Sequence, residues 1–404
     1  MTTQTRAALV FAIGLGVTAS PAADWPHWRG PNADGIAPVS ELQFNWPDEG
    51  PRILWTAQVG TGFSAVSIAA GRAYTLGNTA DIDTVWCLDA ETGDVRWQAS
   101  HAAPLDPNLF EGGPTATPTV DGERVFTFGR KGVAICYDAD TGEELWNVSV
   151  PETCNVNVPT WGFSGSPVVT GEFVLLNAGS AGVALKRDTG AVVWMSDNSD
   201  DAGYATPRLT TFGEKPLALI LSGKALHAVD PQSGTQQWEH RWITRYGVNA
   251  ADPLVQGDRV FLSSGYAKGS SLLEVTPDSV GELWRTRDLR NQMSPGVLVD
   301  GFVYAVDGDA GDDCRLVCVE FESGDVRWEQ PGLGSATLIA SGSRLLILSD
   351  QGELVVAEAS PEKYQEVSRG KVLSGKCWTT PALSDGRLYC RSAAGEVVCI
   401  DLRP

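Results

Sequence analysis

Short apolar runs bounded by polar turn residues recur along the chain from about residue 51 to its end. Examples are 116–126, 165–169 and 293–304, where Val, Phe, Tyr or Leu follow a Ser-Pro or Thr-Pro step or an Asp-Gly pair. Such runs predict short strands, and Asp-Gly is a strong hairpin signal. Each repeat of the pattern predicts four antiparallel strands without a helix.

A second, sharper phrase ends each repeat: Asp-x-x-Thr-Gly-x-x-x-Trp, complete at Trp97 and Trp146. Weaker copies end at Trp194, Trp238, Trp284 and Trp328, so that successive tryptophans are 44 to 49 residues apart. A period of this length indicates a solenoid, a propeller or an array.

The parts of this phrase predict a specific packing device. Its glycine can adopt positive φ in the last hairpin of the repeat, and its aspartate can accept hydrogen bonds from the turn backbone. The tryptophan is predicted to pack against the next repeat. The turn glycines are Gly93, Gly142, Gly190, Gly234 and Gly324.

The number of copies predicts a closed ring. Eight repeats can be counted; the seventh has Glu366-Val367 in place of the tryptophan, and the eighth is one strand short at the C-terminus. The segment 52–59, which contains Trp55, supplies the missing strand from the other end of the chain. Closure of this kind removes open sheet edges. The predicted fold is an all-β, eight-bladed β-propeller.

The recurring phrase resembles the repeat of the PQQ-type (quinoprotein) propeller superfamily over roughly residues 50 to 404. That superfamily includes quinoprotein alcohol dehydrogenases and the BamB outer-membrane assembly factors. For the dehydrogenases the resemblance implies PQQ between a tryptophan and a disulfide of adjacent cysteines, with Ca²⁺ and a catalytic Asp. No Cys-Cys dipeptide occurs in this sequence.

The ends of the chain predict three regions. Residues 1–22 have the charge, apolar stretch and small-residue cleavage site of a signal peptide, without a cysteine for lipid attachment. Residues 23–50 predict an extended strap, with Trp25, Trp28 and Trp46 against the side or base of the propeller. Residues 51–404 form the propeller, and the mature protein is expected in the periplasm or outside the cell.

The net charge, the cysteines and one acidic loop limit the partners, disulfides and metal sites that can be expected. A net charge of −20 argues against nucleic acid and anionic lipid as partners. Four of the eight cysteines, Cys87, Cys136, Cys318 and Cys399, lie in a slot of the repeat that favours a small buried residue. Cys390 with Cys399 is the one pair worth testing as a disulfide. The acidic loop 307–313 lacks the Gly and Glu of a calcium-binding EF-hand loop, so a solvated hairpin is expected.

The inter-repeat loops predict a binding rim. Two of them, 98–112 and 147–160, exceed the usual connection length. Aromatic and amide side chains near the starts of the inner strands are expected to converge on the channel: Phe63, Trp161, Phe163, Tyr204, Tyr246, Asn249, Asp252, Asn291, Gln292, Lys376 and Trp378.

The function predicted from these features is that of an exported, monomeric, non-catalytic scaffold that binds another envelope or secreted protein, as BamB does by analogy. No cofactor or metal is expected. One alternative is a minimal PQQ-dependent oxidoreductase with Ca²⁺, for which Trp161, Asn249, Asp252, Lys376 and Trp378 are the candidate cofactor contacts. The other alternative is a carbohydrate-binding propeller.

Overall fold

The computed structural model describes residues 24–38, 41–47, 49–108, 110–311 and 313–404. The predicted signal peptide at 1–22 lies outside the described residues. Within them the chain forms 33 strands and one short helix. Two strands, β1 (Ile36–Ala37) and β2 (Ile53–Gln58), precede the first complete blade.

Four consecutive strands form each of the first seven blades. Blade 1 has β3 (Ser67–Ala69), β4 (Arg72–Thr79), β5 (Ile82–Asp89) and β6 (Val95–Ala102). Blade 2 has β7 (Thr119–Asp121), β8 (Arg124–Phe128), β9 (Val133–Asp138) and β10 (Glu144–Ser149), followed by helix α1 (Val150–Cys154). Blade 3 has β11 (Val168–Thr170), β12 (Phe173–Leu176), β13 (Val183–Lys186) and β14 (Val192–Met195).

The middle of the chain continues the same order. Blade 4 has β15 (Arg208–Phe212), β16 (Lys215–Leu221), β17 (Ala225–Val229) and β18 (Gln236–Arg241). Blade 5 has β19 (Leu254–Gln256), β20 (Arg259–Ser264), β21 (Gly269–Val275) and β22 (Val280–Thr286). Blade 6 has β23 (Val297–Val299), β24 (Phe302–Asp307), β25 (Arg315–Glu320) and β26 (Val326–Pro331).

The last two blades involve the N-terminal strands. Blade 7 has β27 (Thr337–Ser341), β28 (Arg344–Leu348), β29 (Glu353–Glu358) and β30 (Glu366–Lys371), with β1 added in parallel at its inner edge. Blade 8 has β31 (Ala382–Ser384), β32 (Arg387–Arg391) and β33 (Glu396–Asp401). Its fourth strand is β2, paired antiparallel with β33, which confirms the predicted eight-bladed ring and its closure.

Two sequence predictions about the loops are wrong in detail. Strand β6 continues to Ala102 because it stays paired with the long strand β5, so the first long loop begins at residue 103 and not at Gln98. The second long connection contains α1, where Pro151 stands in the first turn, so the propeller is not free of helix. Proline is accepted there because the first turn needs no intrahelical donor.

The repeated tryptophans lock neighbouring blades together. Each indole N–H donates to a backbone carbonyl in the last turn of the next blade, and the largely buried ring covers that turn. The seven bonds are Trp55 to Ala90, Trp97 to Ala139, Trp146 to Arg187, Trp194 to Pro231, Trp238 to Thr276, Trp284 to Phe321 and Trp328 to Ser360, at 2.8–3.2 Å. The predicted packing against the next repeat is confirmed.

The turn glycines explain why five copies of the phrase have glycine at this position. Gly142 has φ of 74°, and a Cβ there would lie 2.6 Å from the ring of Trp97. Gly93, Gly190, Gly234 and Gly324 meet the preceding tryptophan in the same way. Only glycine satisfies both the positive φ and the ring contact.

The eighth interface, between blades 7 and 8, has no repeat tryptophan. Residues 41–47 of the strap cover it: Leu42, Phe44 and Trp46 pack on its core, and the Trp46 indole donates to the Arg369 carbonyl at 3.1 Å. The strap therefore replaces the missing tryptophan of the repeat. The prediction that Trp46 lies on the side or base of the propeller agrees with this position.

Residues 24–38, which we call the plug, contradict the rest of that prediction, because they lie inside the ring. Trp25 forms a bridge with Ile68 of β3, the Pro26 carbonyl accepts from Val120 of β7, and β1 pairs with β27. These partners are innermost strands of three different blades. The reason is chemical: the plug offers backbone groups and large rings that the inner edges of the blades would otherwise leave unpaired.

All eight cysteines are free and buried. Cys390 and Cys399 are diagonal neighbours, since Cys390 pairs with Val398 and Tyr389 with Cys399, but they form no disulfide. Cys87, Cys136, Cys318 and Cys399 are fully buried, as the small-residue slot predicted. Burial raises the pKa of the Cys87 thiol to about 11, which makes these groups poor nucleophiles.

Candidate functional site

A single face of the ring carries the connections from one blade to the next, because each blade has four antiparallel strands. On this face, which we call the funnel face, the channel opens into a cavity of about 330 Å³. Its lining is aromatic and hydroxylated: Trp28, Phe63, Phe110, Thr115, Trp161, Ser164, Ser166, Tyr204, Thr206, Val248, Ala250, Asp252, Tyr266, Gln292, Met293, Ala310, Trp378, Thr379 and Thr380.

The plug contributes the floor of this cavity. The Trp28 indole donates to Asp252 Oδ2 at 2.6 Å, and the buried Arg29 donates to the Gly296 carbonyl at 2.8 Å. Arg208 reaches the Asn32 carbonyl from blade 4. The funnel is therefore a blind cavity, closed by the protein's own N-terminal segment.

Asp252 belongs to a ring of short polar side chains that links the inner strands. The backbone N–H of Thr117 donates to Ser166 Oγ, that of Ser166 to Thr206 Oγ1, and that of Thr206 to Asp252 Oδ1, at 2.8–3.0 Å. Asp252 is the only one of these linked residues whose side chain has two oxygens. The second, Oδ2, accepts a hydrogen bond from the Trp28 indole N–H. The carboxylate thus joins the blade ring to the plug.

Electrostatics at Asp252 are dominated by burial. Removal from water raises the pKa of its carboxyl, and nearby Arg29, the Thr206 N–H and the Trp28 indole oppose that rise. Both of its oxygens already accept hydrogen bonds from the protein. Its contacts hold the plug against the inner strands, and neither oxygen is left to contact a ligand without breaking one of them.

Aromatic pairs form the walls of the funnel. Phe63 stacks on Trp378 with centroids 5.9 Å apart, and the Lys376 ammonium lies 4.2 Å from the centre of the Trp378 ring. Across the cavity, Trp161 meets Tyr204 edge to face at 6.0 Å. Trp378 is thus held between two neighbours, whereas Trp161 has one aromatic neighbour.

The indole N–H groups divide the tryptophans into two sets. Eleven of the fourteen donate to a protein acceptor. In the described part of the chain, no such acceptor is found for Trp25, Trp161 or Trp378. Two of these three line the funnel and are only half-buried, so their donors are available to a ligand.

The structure brings together some of the sequence-predicted rim residues and not others. Phe63, Trp161, Tyr204, Asp252, Gln292 and Trp378 line the cavity. Phe163, Asn249 and Asn291 are buried between strands, where Asn249 donates to the carbonyls of Ser222 and Trp242. Lys376 pairs with Glu111 at 2.8 Å, and Tyr246 is exposed, with its ring edge to face on Tyr266 of the lining at 5.3 Å.

Sequence reasoning missed other members of the lining. Phe110 sits in the loop after β6, and Tyr266 in the β20–β21 hairpin, which belongs to the same face because alternate hairpins point the same way. The contribution of Trp28 depends on the plug entering the ring. Counting hairpin residues between the second and third strands of each blade would have found Tyr266.

The edge of the funnel exposes apolar side chains that the cavity does not use. Leu105, Val158, Ile243 and Tyr246 are 36–52% exposed and lie on three inter-blade connections of this face. We call these four residues the rim patch. These side chains are accessible to a partner that binds this face.

The donor set does not fit the anionic quinone cofactor and calcium that the PQQ resemblance implies. Lys376 is paired with Glu111, and Arg130 donates to the carbonyls of Asp106 and Trp161. Among the described residues, no group of three or more His, Cys, Asp or Glu could hold a metal ion. The cavity lining contains no Lys, Arg or His, so it supplies no cationic side chain for a polyanion.

The acidic loop 307–313 differs from the solvated hairpin that was predicted. Asp307 is 1% exposed and forms ion pairs with Arg290 at 2.7 Å and Arg315 at 3.3 Å. Asp309 accepts a hydrogen bond from the Tyr266 N–H at 2.7 Å. These carboxylates hold the β24–β25 hairpin against its neighbours.

His101 lies outside the funnel. It lines a separate cavity of about 130 Å³ under the first long loop, next to Asp83, its partner across β5 and β6. Asp83 accepts from Asn78 Nδ2 at 2.7 Å, and burial raises the pKa of its carboxyl. His101 is therefore not part of the funnel site.

Comparisons with known proteins place the chain in a family. The family model described as outer membrane protein assembly factor BamB matches residues 81–330. This match spans more than half of the chain, which therefore belongs to this family. No curated protein sequence is significantly similar to it.

Solved structures share the fold at low identity. BamB from Moraxella catarrhalis superposes with a TM-score of 0.63 at 17% identity, covering 87% of this chain and all (100%) of that one. Quinohemoprotein alcohol dehydrogenase from Comamonas testosteroni gives 0.65 at 13%, covering 93% and 80%. The computationally designed Ika8 protein gives 0.62 at 13%, covering 87% and 100%. BamB, an alcohol dehydrogenase and a designed protein are about equally similar to this chain. The likeness therefore shows the fold alone.

Proposed function

We propose that this member of the BamB-type family is an exported binding propeller without catalysis, which holds an envelope or secreted protein on its funnel face. The observation that carries the proposal is the rim patch, four exposed apolar residues on three inter-blade connections of one face. The family description, an outer membrane protein assembly factor, supports a role in protein assembly. Among the described residues, no helix has the length and apolar character to cross a bilayer.

The chemistry of the funnel supports a role in binding. Asp252, the acid on its floor, has both oxygens engaged by Trp28 and Thr206. Lys376 is paired with Glu111. General acid or base catalysis needs a titratable group within hydrogen-bond reach of a substrate, and these two groups are committed to the protein. We therefore propose that the protein needs no PQQ and no Ca²⁺.

Site-specific photo-crosslinking tests the partner role. A photoreactive residue at Val158 or Ile243, in cells that make the protein, should yield one discrete adduct with a second protein. The matched control is Leu283, which is 46% exposed on the outer strand β22, away from the funnel face. The same adduct from Leu283, or none from either rim position, would contradict the proposal.

A titration tests the absence of cofactor chemistry. Purified protein mixed with PQQ, with and without Ca²⁺, should show no saturable tryptophan quenching and no dye reduction with simple alcohols. Stoichiometric, calcium-dependent quenching together with dye reduction would replace the proposal with the oxidoreductase alternative.

A further inference from the structure

The blind funnel has a ligand chemistry of its own, separate from the rim patch. Its polar groups are neutral hydroxyls, phenols, an amide and indole N–H groups, apart from the engaged carboxylate of Asp252. Lys376, at the edge, is paired with Glu111, and Arg130 is buried and does not belong to the cavity lining. A ligand that enters the funnel therefore meets no cationic side chain in the lining, and a charged ligand would lose its hydration without compensation.

The walls combine flat apolar rings with unpaired donors. Trp161 presents a half-buried indole with one aromatic neighbour and an N–H that has no protein acceptor in the described residues. Trp378 has the same unpaired N–H, but its ring already contacts both Phe63 and Lys376. A ligand could therefore stack on Trp161 and accept hydrogen bonds from both indoles. Amphipathic aromatic side chains suit surfaces where an apolar face and a polar edge meet.

Hydroxyl groups surround these rings. Tyr204 and Tyr266 each accept one protein hydrogen bond at the phenol oxygen, which leaves the O–H free to donate outward. Thr115, Ser164, Thr379 and Thr380 add hydroxyls along the wall. A flat, purely aromatic ligand would leave this ring of polar groups unsatisfied, and such desolvation is costly.

We propose that the funnel binds a neutral carbohydrate, with one sugar ring stacked on Trp161. A pyranose ring has an apolar face of C–H groups and a periphery of hydroxyls, which matches an indole face surrounded by donors and acceptors. The cavity of about 330 Å³ is at the small end of ligand pockets and suits one or two sugar rings. The blind floor fixes this depth, so the ligand enters by its end or by a short branch. The inference is independent of the rim patch and its protein partner.

A binding screen with matched variants tests this proposal. The probes are an array of neutral glycans, followed by calorimetry with glucose, N-acetylglucosamine, maltose, cellobiose and diacetylchitobiose. Glucuronate and benzoate serve as charged and aromatic controls. Wild-type protein should bind at least one neutral saccharide saturably and neither control.

The variants locate the site. Trp161→Ala should weaken that binding at least tenfold, and Trp161→Phe should weaken it less because the stacking face remains. Leu283→Ala, on the outer strand β22 away from the funnel face, should bind like wild type. Near-identical thermal unfolding of the Trp161 variants and wild type confirms that the fold is kept.

Three results would overturn the assignment. They are the absence of binding to every neutral glycan, binding of glucuronate or benzoate in preference to the neutral saccharides, and unchanged affinity in Trp161→Ala. If no photo-crosslinked adduct forms but sugar binding is observed, the result contradicts the proposed function alone. The two proposals can therefore fail separately.

Discussion

Trp28 and Trp161 line the same cavity, one at its floor and one in its wall, and they differ in one respect. The Trp28 indole donates to Asp252, whereas Trp161 has no protein acceptor for its N–H in the described residues. Ten other tryptophans resemble Trp28, including the seven that lock the blades. The difference teaches that, in a chain rich in tryptophan, hydrogen-bond satisfaction and exposure together separate structural rings from ligand-facing ones. Trp25 also has no acceptor in the described residues, but it is only 2% exposed and is a structural ring of the plug.

The largest effect should come from a blade lock. Trp97→Ala removes a ring that is 8% exposed, its bond to the Ala139 carbonyl and its contact with Gly142. Large aromatic truncations in cores cost about 3–5 kcal/mol, so we expect a loss of that size in the free energy of unfolding, measured in urea. A change below about 1 kcal/mol would show that the lock contributes little.

The floor should be the next most sensitive. Asp252→Ala leaves the Trp28 indole and the Thr206 N–H without acceptors, and each orphaned buried donor costs about 1–3 kcal/mol. We expect the free energy of unfolding to fall and amide exchange in the plug, residues 24–38, to accelerate. Unchanged exchange there would mean that Asp252 does not hold the plug.

The pH dependence of stability should also report on the floor. Because burial raises the pKa of Asp252 above its ordinary value of 3.8, the folded state binds a proton more readily than the unfolded state. Its contribution to stability therefore decreases as pH rises through the raised pKa. Asp252→Asn has no carboxyl to titrate at this position. The free energy of unfolding of the variant relative to wild type should therefore increase as pH rises across that window. Parallel stability curves for the two proteins would contradict the assignment.

The smallest effect on stability should come from the funnel wall. Trp161 is half-buried, and its indole N–H has no protein acceptor in the described residues. We expect Trp161→Ala to change the free energy of unfolding by less than about 0.5 kcal/mol, as for substitutions outside tight packing. A loss comparable to that of Trp97→Ala would place Trp161 among the structural rings and erase the contrast.

The eight-bladed ring could be predicted from the sequence because the residues of the repeat phrase are those that contact each other between neighbouring blades. Gly142 and Trp97 meet through a positive φ and a ring face, and both requirements are visible as residue types. The strap was harder to place: a Trp-Pro-x-Trp-Arg-Gly-Pro segment has no periodicity, and its path inside the ring depends on inner-strand edges from distant parts of the chain.

The candidate site was only partly predictable for a related reason. Residues at the starts of inner strands, such as Phe63 and Trp378, are fixed by the repeat and were found. Asn249 stands at an equivalent place but turns into the protein, because its amide satisfies the carbonyls of Ser222 and Trp242. Side-chain direction at a loop depends on which backbone groups need partners, and spacing does not carry that information.

The most direct test of the contrast is hydrogen exchange of the indole N–H groups, followed in ¹H–¹⁵N spectra after transfer to D₂O, with single Trp→Phe variants to assign each resonance. We predict slow exchange for Trp28 and the blade-lock tryptophans and fast exchange for Trp161 and Trp378. A protected Trp161 resonance, or a rapidly exchanging Trp28 resonance, would contradict the division of this funnel into a structural floor and a ligand-facing wall.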